Sequence, residues 1–255
     1  MSTSLTATAP VSDLTPPAAG GPVIAIIGAG WLGLPLGRAL RADGCRVRAT
    51  TTSAARLPAL AAAGLEAYQL ALEPDSAAAA WAPLLTGADA VVISLPPGMR
   101  GGADPAAVQY TARLARLGEL AAAAGVKKVV LLSSTAVYPE TPGVPVLTAR
   151  AADPTHPLTR AEAVLAATLP PATTLVVARL GGLMGPGRAP GKFYGPGRPV
   201  PQPAAPVNLL HLTDAVGAVR ALLRRLPTTA AAGGAGNDSG AASGAGNPSA
   251  RAAAA

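Results

Sequence analysis

One segment near the start of the chain has the glycine spacing of a phosphate-binding turn. Gly28, Gly30 and Gly33 lie in the hexapeptide GAGWLG, after a short apolar run and before a helical pattern. In such a turn the first glycine permits a tight bend, the second lets the backbone approach a pyrophosphate, and the third lets the helix pack on the strand. The helix N–H groups then attract the phosphates. The spacing predicts a dinucleotide site, against the alternative of a glycine-rich turn that binds nothing.

The residues about 20 positions further on bear on which dinucleotide would bind. An NAD site needs Asp or Glu at the end of the second strand, where the carboxylate holds the ribose 2′-hydroxyl. No acidic residue lies between Asp43 and Glu66, and this stretch instead carries hydroxyls and arginines, including Thr51 and Arg56. Hydroxyl donors and positive charge suit the 2′-phosphate of NADP. The sequence therefore favours NADP, with NAD as the alternative, and the other reading of Arg56 is a solvated helix residue.

A regular alternation of apolar runs and helical patterns must position these residues. Strands are expected at 23–27, 46–50, 65–70, 90–94, 129–132, 175–178 and 207–210. Helices are expected at 31–43, 54–63, 75–86, 104–124, 157–168 and 213–226. Apolar strands that alternate with helices indicate an α/β fold, a Rossmann-type doubly wound parallel sheet with helices on both faces. Ligands of such sheets bind at the carboxyl ends of the strands.

The two ends of the chain differ in composition from this central part. Residues 1–21 have neither the basic nor the apolar region of a secretory signal, and we expect a disordered leader and a cytoplasmic protein. Residues 227–255 are mostly Ala, Gly, Ser and Asn, which indicates a low-complexity disordered tail. The folded domain is therefore expected over 22–226, with loops at 139–156 and 181–206 that would face a substrate.

Composition and charge argue against several classes of function. The net charge of +7 comes from arginines scattered along the chain and aromatic residues make up only 3%, so a nucleic-acid partner is not expected. No run of about 18 strongly apolar residues lacks Pro, Gly and charge, which argues against a membrane span. Two histidines and the single Cys45 lie far apart, so no metal site is expected. Anionic small molecules suit the arginine excess better.

Three further segments, together with the glycine turn, resemble a known superfamily. The segments are SSTAVY at 133–138, RLGGLMGPGR at 179–188 and VNLLHLTDAV at 207–216. Their order and spacing are similar to those of the short-chain dehydrogenase/reductase superfamily, in its extended and atypical branch, usually labelled NAD-dependent epimerase/dehydratase. The resemblance covers residues 23–226 and implies an NAD(P)-binding Rossmann domain.

The resemblance also implies which residues contact the cofactor and the substrate. Ser134 holds the position of the catalytic serine or threonine, which hydrogen-bonds a substrate oxygen. Relatives often pair through the helices at 104–124 and 157–168, which raises a homodimer as an expectation. The pocket for a small-molecule substrate would be bordered by Gly185, Pro186 and Arg188. Cofactor contacts are implied at Gly28, Gly30, Trp31, Leu32, Gly33, Leu95, Pro96 and Ser133, the last of them near the nicotinamide.

The chain departs from this family where the reaction would occur. The family uses a Tyr whose pKa is lowered by a Lys four residues later, and no Tyr of this sequence has such a Lys. His156 could replace that acid, with a histidine in the N-cap region of a helix as the alternative reading. Tyr194 and Arg198 have the spacing but lie in a Pro/Gly loop. Residues 227–255 cannot supply the usual substrate subdomain, so a reduced C-terminal substrate region is expected.

Three functional readings follow from these observations. The first is an NADP-dependent oxidoreductase or epimerase that acts on a small carbonyl, hydroxyl or sugar-nucleotide substrate, with Ser134 polarising the substrate oxygen. The second is a non-catalytic dinucleotide-binding sensor or regulatory protein, which the missing Tyr–Lys pair favours. The third is a decayed copy of such an enzyme, which the composition of the tail favours. Binding of NADPH and oxidation of the bound cofactor by a carbonyl substrate distinguish the three.

Overall fold

The structure, a computed structural model, describes residues 20–98, 104–139, 148–192, 199 and 207–225. The predicted tail at 227–255, and all but the last two residues of the predicted leader at 1–21, lie outside this part. So do residues 140–147 of the first predicted loop and most of 193–206 in the second, including Tyr194 and Arg198.

Six parallel strands in the described residues form the central sheet. The strand order is β3-β2-β1-β4-β5-β6. The chain adds β2 and β3 on one side of β1 and β4 to β6 on the other, so the direction in which strands are added reverses between β1 and β4. This is the doubly wound arrangement that the sequence predicts, so the Rossmann-type fold is confirmed. The strands are β1 (Val23–Ile27), β2 (Arg46–Thr51), β3 (Glu66–Gln69), β4 (Ala90–Ile93), β5 (Lys128–Ser134) and β6 (Thr174–Leu180).

Helices cover both faces of this sheet, as the sequence predicts. The described helices are α1 (Gly33–Ala42), α2 (Leu57–Ala62), α3 (Ala78–Leu85), α4 (Asp104–Ala123), α5 (Pro157–Thr168) and α6 (Leu212–Arg225). One face of the sheet, under α3, α4 and α5, buries Trp81, Leu114 and Leu165. The other face, under α1, α2 and α6, buries Leu36 and Val219. None of these helices is apolar over a length that would span a bilayer.

Two short strands form a separate parallel sheet beside α6. β7 (Gly182–Met184) pairs with β8 (Leu209–His211), and Leu183 and Leu210 pack against the core under α1 and α6. The segment 182–184 was expected to be loop, because three residues next to glycines carry too little periodicity to predict a strand. The predicted strand at 207–210 is also shorter and begins later. This small sheet attaches the segment after β6 to the body of the domain.

Candidate functional site

The turn after β1 is held by contacts that leave no room for side chains at two glycines. Gly28 has a φ of +94°, and its N–H donates to Thr50 Oγ1 at 2.8 Å. A Cβ on Gly28 would lie 2.8 Å from the Ser94 carbonyl oxygen, and one on Gly33 would lie 2.3 Å from the Gly28 carbonyl oxygen. These are the steric roles that the glycine spacing assigns to the first and third glycines.

The N-terminus of α1 borders open space. A Cβ on Gly30 would meet nothing within 4 Å, so the backbone there is free to approach a ligand. The N-cap residue Leu32 makes no side-chain hydrogen bond to the helix, and the first turn contains no acidic residue. Uncapped N–H groups and the positive end of the helix dipole favour an anion. The residues present therefore fit a pyrophosphate next to Gly30.

Two adjoining cavities open on either side of this turn. The β2-side cavity has a volume of about 280 Å³ and lies along the carboxyl ends of β1 and β2. The β5-side cavity has a volume of about 330 Å³ and lies against β5 and β6. A ligand in both would cross the point where the strand order reverses, which is the usual dinucleotide site in such a sheet. The two cavities share Gly30, Ser94, Leu95, Pro96 and Tyr110.

Most of the residues that the sequence assigns to the site line one of these cavities. In addition to the shared Gly30, Leu95 and Pro96, the β2-side cavity is lined by Gly28, Thr51 and Arg56. The β5-side cavity is lined by Trp31, Leu32, Ser133, Ser134 and Arg188. The structure does not bring the remaining four to either cavity, and these are Gly33, His156, Gly185 and Pro186.

The β2-side cavity carries a positive charge that no described residue neutralises. Arg56 lines this cavity and forms no ion pair within the described part of the chain. Glu73 and Arg113 line it too, but they bind each other, with Arg113 Nη2 2.7 Å from Glu73 Oε1. Thr51 is buried, and its Oγ1 accepts the N–H of Ser53 at 3.2 Å. The Thr51 hydroxyl proton is therefore available to a ligand in the cavity that Arg56 also lines.

A buried ion pair supports one wall of the β5-side cavity. Arg179 on β6 binds Glu162 on α5, with Nη2 2.7 Å from Oε2, and the Glu162 side chain is only 7% exposed. Ser133 donates its hydroxyl to Oε1 of the same carboxylate at 2.5 Å. Hydrogen bonding to Glu162 holds the pKa of Arg179 above its usual range. The pair therefore ties β5, β6 and α5 together around Ser133.

Two tyrosines close to this wall have different surroundings. The Tyr138 hydroxyl accepts from Arg179 Nη1 at 3.2 Å, and the guanidinium lies 5.4 Å from the centre of its ring. Tyr110 on α4 lines both cavities, is 4% exposed, and its hydroxyl bonds to no described residue. Burial, and then the Glu162 charge, raise the pKa of Tyr110 to about 12. Its hydroxyl is therefore a neutral donor at physiological pH.

Ser134 lies at the end of β5 with its hydroxyl proton free. It precedes a short 3₁₀ turn, and its Oγ accepts the N–H of Ala136 at 3.1 Å. A serine that accepts a backbone hydrogen bond can still donate its own proton to another group. Because Ser134 also lines the β5-side cavity, it can donate to an oxygen atom bound there.

The turn at 185–188 is attached to the glycine turn. Gly185 and Arg188 exchange two backbone hydrogen bonds of 3.1 and 2.8 Å. The indole Nε1 of Trp31 donates to the Pro186 carbonyl at 2.8 Å, and the Arg188 guanidinium lies 4.6 Å from the centre of the Trp31 ring. Gly185 and Pro186 thus hold Arg188 at the β5-side cavity without lining it themselves.

The histidines have local structural roles. His156 Nδ1 accepts the N–H of Leu158 at 3.1 Å and caps α5, which is the alternative reading of that residue. His211 Nδ1 accepts the N–H of Thr213 at 3.3 Å. Within the described residues, no group of three or more His, Cys, Asp and Glu side chains could hold a metal ion.

Sequence reasoning did not assign three residues of this site. Thr50 supports the glycine turn, Tyr110 joins the two cavities, and Glu162 orients Ser133. Only Glu162 had a usable signal, because it shares the buried face of α5 with Leu158 and Leu165 at helical spacing. An acidic residue on an apolar helix face indicates a buried partner.

The sequence has relatives that match this site and fold. A profile of the NAD(P)H-binding family matches residues 28–183. Protein YeeZ of Escherichia coli (strain K12) is 34% identical over 207 residues, which cover 79% of this chain and 73% of YeeZ. The family match includes the glycine turn and β2 to β6.

Solved structures of several proteins are similar to this fold. A functionally unknown conserved protein from Silicibacter pomeroyi DSS is 27% identical, with 82% of this chain and 69% of that chain covered and a TM-score of 0.56. MoeE5 in complex with UDP-glucuronic acid and NAD is 25% identical, with 82% and 74% covered and a TM-score of 0.63. The chain therefore belongs to the NAD(P)H-binding family, and it has the short-chain dehydrogenase/reductase type of fold that its motifs resemble.

Proposed function

We propose that this protein is an NADP-dependent oxidoreductase or epimerase. The observation that carries the proposal is the glycine turn, which opens on two adjoining cavities. The β2-side cavity contains Arg56, which has no ionic partner among the described residues. Thr51 and Arg56 supply a hydroxyl and a positive charge at the end of β2, where a 2′-phosphate needs them. Among the described residues that line this cavity, Glu73 is the one carboxylate, and it is held by Arg113.

The residues of the two cavities suggest how the cofactor is held. The α1 N-terminus and Gly30 would bind the pyrophosphate, and Leu95 and Pro96 would pack against the adenosine half. Ser133 would face the nicotinamide half in the β5-side cavity. Such a cofactor supplies a hydride to a carbonyl carbon or accepts one from an alcohol.

The substrate would occupy the remainder of the β5-side cavity, between Ser134 and Arg188. The Ser134 hydroxyl donates to the substrate oxygen, which stabilises negative charge that develops on it during reduction. Reduction of a carbonyl also requires one proton on that oxygen. The Ser134 hydroxyl would pass its proton to the substrate oxygen, and a proton from water would replace it on Oγ. Arg188 favours an anionic substrate, and a sugar nucleotide is one class that fits, as MoeE5 is known with UDP-glucuronic acid.

A second candidate is a dinucleotide-binding sensor or regulatory protein without turnover. The chain has no Tyr followed four residues later by Lys, so the usual proton donor of the family is missing. The same cavities would bind NADP(H), and only the chemical step would be absent. We also propose a cytoplasmic location and a homodimer through α4 and α5, and Val108 on α4 is exposed, as an interface residue would be in a free monomer.

Thermal unfolding with NADPH and with NADH tests the proposed cofactor. A ligand at about 100 times its dissociation constant adds about 2.7 kcal/mol, which raises the Tm of a domain of this size by roughly 5–10 °C. We expect this shift with NADPH and a smaller one with NADH. A shift with NADH alone would overturn the reading of Thr51 and Arg56, and no shift with either would overturn both candidate functions.

A pair of arginine variants locates the specificity. Arg56→Ala should weaken NADPH binding about tenfold and leave NADH binding unchanged, because one charge-assisted hydrogen bond to the 2′-phosphate is lost. Arg38→Ala is the matched control, since Arg38 is exposed on α1 and lines neither cavity. Once NADPH is bound, a screen of carbonyl and sugar-nucleotide substrates for its oxidation separates the enzyme from the sensor.

A further inference from the structure

The buried ion pair fixes the direction of the Ser133 hydroxyl. Arg179 stays protonated and donates to both oxygens of Glu162, with Nε 3.3 Å from each and Nη2 2.7 Å from Oε2. An ionised carboxylate can only accept hydrogen bonds. The hydrogen bond between Ser133 Oγ and Glu162 therefore uses the serine proton, and that proton cannot also point into the cavity.

The cavity side of Ser133 consequently presents lone pairs. Ser133 lines the β5-side cavity, and no donor among the described residues reaches its Oγ. The neighbouring Ser134 is the opposite case, because its Oγ accepts from Ala136 and its proton is free. Two adjacent serines thus offer an acceptor and a donor to whatever is bound.

Tyr110 supplies a second unpartnered polar group to the same cavity. Its side chain is 4% exposed, and its hydroxyl has no hydrogen bond to any residue in the described part of the chain. With a pKa raised to about 12 by burial and by Glu162, this hydroxyl stays protonated and acts as a donor. Because Tyr110 lines the cavity and its hydroxyl proton is not used by a described residue, a ligand group bound there can accept that proton.

A planar group with N–H donors and a carbonyl acceptor matches these two positions. Apolar side chains make up much of the rest of the cavity, including Leu132, Leu158 and Leu180, and suit a flat ring. We propose that Glu162 is a positioning residue, which holds Ser133 as the acceptor for the amide N–H of the nicotinamide carboxamide, while Tyr110 donates to the amide oxygen. This inference rests on the proposed binding of NADP.

The inference predicts discrimination between two cofactors that differ only in this group. Nicotinic acid adenine dinucleotide phosphate carries a carboxylate in place of the carboxamide and has no donor for Ser133. Its oxygen would face the lone pairs of Ser133, so we expect it to bind about tenfold more weakly than NADP⁺. The readout is the dissociation constant of the nicotinic acid analogue divided by that of NADP⁺, and this ratio requires no substrate and no turnover.

Three variants test whether Ser133 and Glu162 set this ratio. Ser133→Ala removes the acceptor and keeps the ion pair, so the ratio should fall to within about twofold of unity. Ser133→Thr keeps a hydroxyl and should retain most of the wild-type ratio. Glu162→Gln supplies an amide that can donate to Ser133, which frees the serine proton to turn toward the cavity. The ratio should then fall to one or below.

The outcomes separate this inference from the proposed function. If NADP⁺ binds to the wild-type protein but the ratio is the same in Ser133→Ala, the carboxamide contact is wrong and the cofactor assignment stands. If the wild-type protein binds neither dinucleotide, the proposed function itself fails. Glu162→Gln leaves Arg179 without its counter-charge, and if that variant does not fold, the Ser133→Ala and Ser133→Thr pair decides the question.

Discussion

The glycine turn and the Ser133 wall, which consists of Ser133, Glu162 and Arg179, present their groups to a ligand in different ways. In the turn, backbone lies against backbone, and a Cβ on Gly33 would come within 2.3 Å of a carbonyl oxygen. In the wall, a hydroxyl is turned by two side chains from other elements, Glu162 and Arg179. The close contacts of the turn fix the position of its backbone. The charges of the wall fix the direction of the Ser133 hydroxyl, and therefore whether its oxygen donates or accepts a hydrogen bond. At Gly28 and Gly33 the turn therefore has no room for an added carbon, whereas the wall can be changed one hydrogen bond at a time.

The largest effect is expected where the turn excludes atoms. Gly33→Ala adds a Cβ that must displace the backbone of Gly28, which should cost about 3 kcal/mol and lower the Tm by roughly 9 °C. The free protein should show this loss in a thermal unfolding experiment, without any nucleotide present. An unchanged Tm would mean that the turn is softer than its contacts indicate.

Gly30→Ala is the matched control for that variant. A Cβ on Gly30 meets nothing within 4 Å in the protein, so the Tm of the free protein should not change. The same Cβ occupies the space through which a pyrophosphate approaches the backbone, and NADPH affinity should fall more than about tenfold. Together the two variants separate the packing role of one glycine from the ligand role of the other.

The difference between the two regions also explains which parts could be predicted from the sequence. The turn could be predicted, because Gly28, Gly30 and Gly33 lie within six residues and their roles are local. The central strands β1, β4 and β5 could be predicted for a similar reason, since each is largely buried and contains a continuous apolar run. The edge strand β3 has the sequence EAYQ and gives a weaker signal. The parallel order then follows from the alternation with helices.

The wall could not be predicted in the same way, because its contacts join distant residues. Ser133 lies 29 residues before Glu162, which lies 17 residues before Arg179. The contact that joins the glycine turn to the turn at 185–188 is longer still, since Trp31 lies 155 residues before Pro186. The motif around Ser133 placed this residue near the nicotinamide but gave no hint that its proton is used internally. The strand at 182–184 was missed because its stability comes from pairing with β8 and not from its own pattern.

The contact between Trp31 and the turn at 185–188 can be weakened without touching the glycines. Trp31→Phe keeps a ring for Arg188 but removes the 2.8 Å hydrogen bond to the Pro186 carbonyl. The loss of about 1 kcal/mol should raise the equilibrium population of the open turn about fivefold. Arg188 is exposed and is a site for trypsin, so the rate of cleavage after this residue measures that opening.

Trp31→Ala should increase that rate further, because it also removes the ring under the Arg188 guanidinium. Cleavage after the exposed Arg150 serves as the internal reference, since no hydrogen bond or ring contact joins Trp31 to Arg150 in the described part of the chain. If both variants cleave after Arg188 at the wild-type rate, the nucleotide side and the substrate side of the site are independent of each other.

The smallest effect is expected at a contact between α1, which follows the glycine turn, and α6. Asp43, at the C-terminus of α1, forms an ion pair with Arg220 on α6, with Arg220 Nε 2.8 Å from Oδ2. The hydrogen bond from Arg220 holds the pKa of Asp43 below its usual value. A carboxyl group whose pKa is lower in the folded state stabilises the fold above its unfolded pKa and loses this contribution as the pH falls through the folded pKa.

Asp43→Asn should therefore lower the Tm slightly at pH 7. The difference from the wild type should shrink as the pH falls below about 4 and vanish below the lowered pKa of folded Asp43. Added salt should also reduce it, because both side chains are partly exposed. Asp75→Asn is the control, since Asp75 is exposed and forms no ion pair with a described residue. A difference that persists at low pH would assign the effect of Asp43 to the end of α1 itself and not to the ion pair with Arg220.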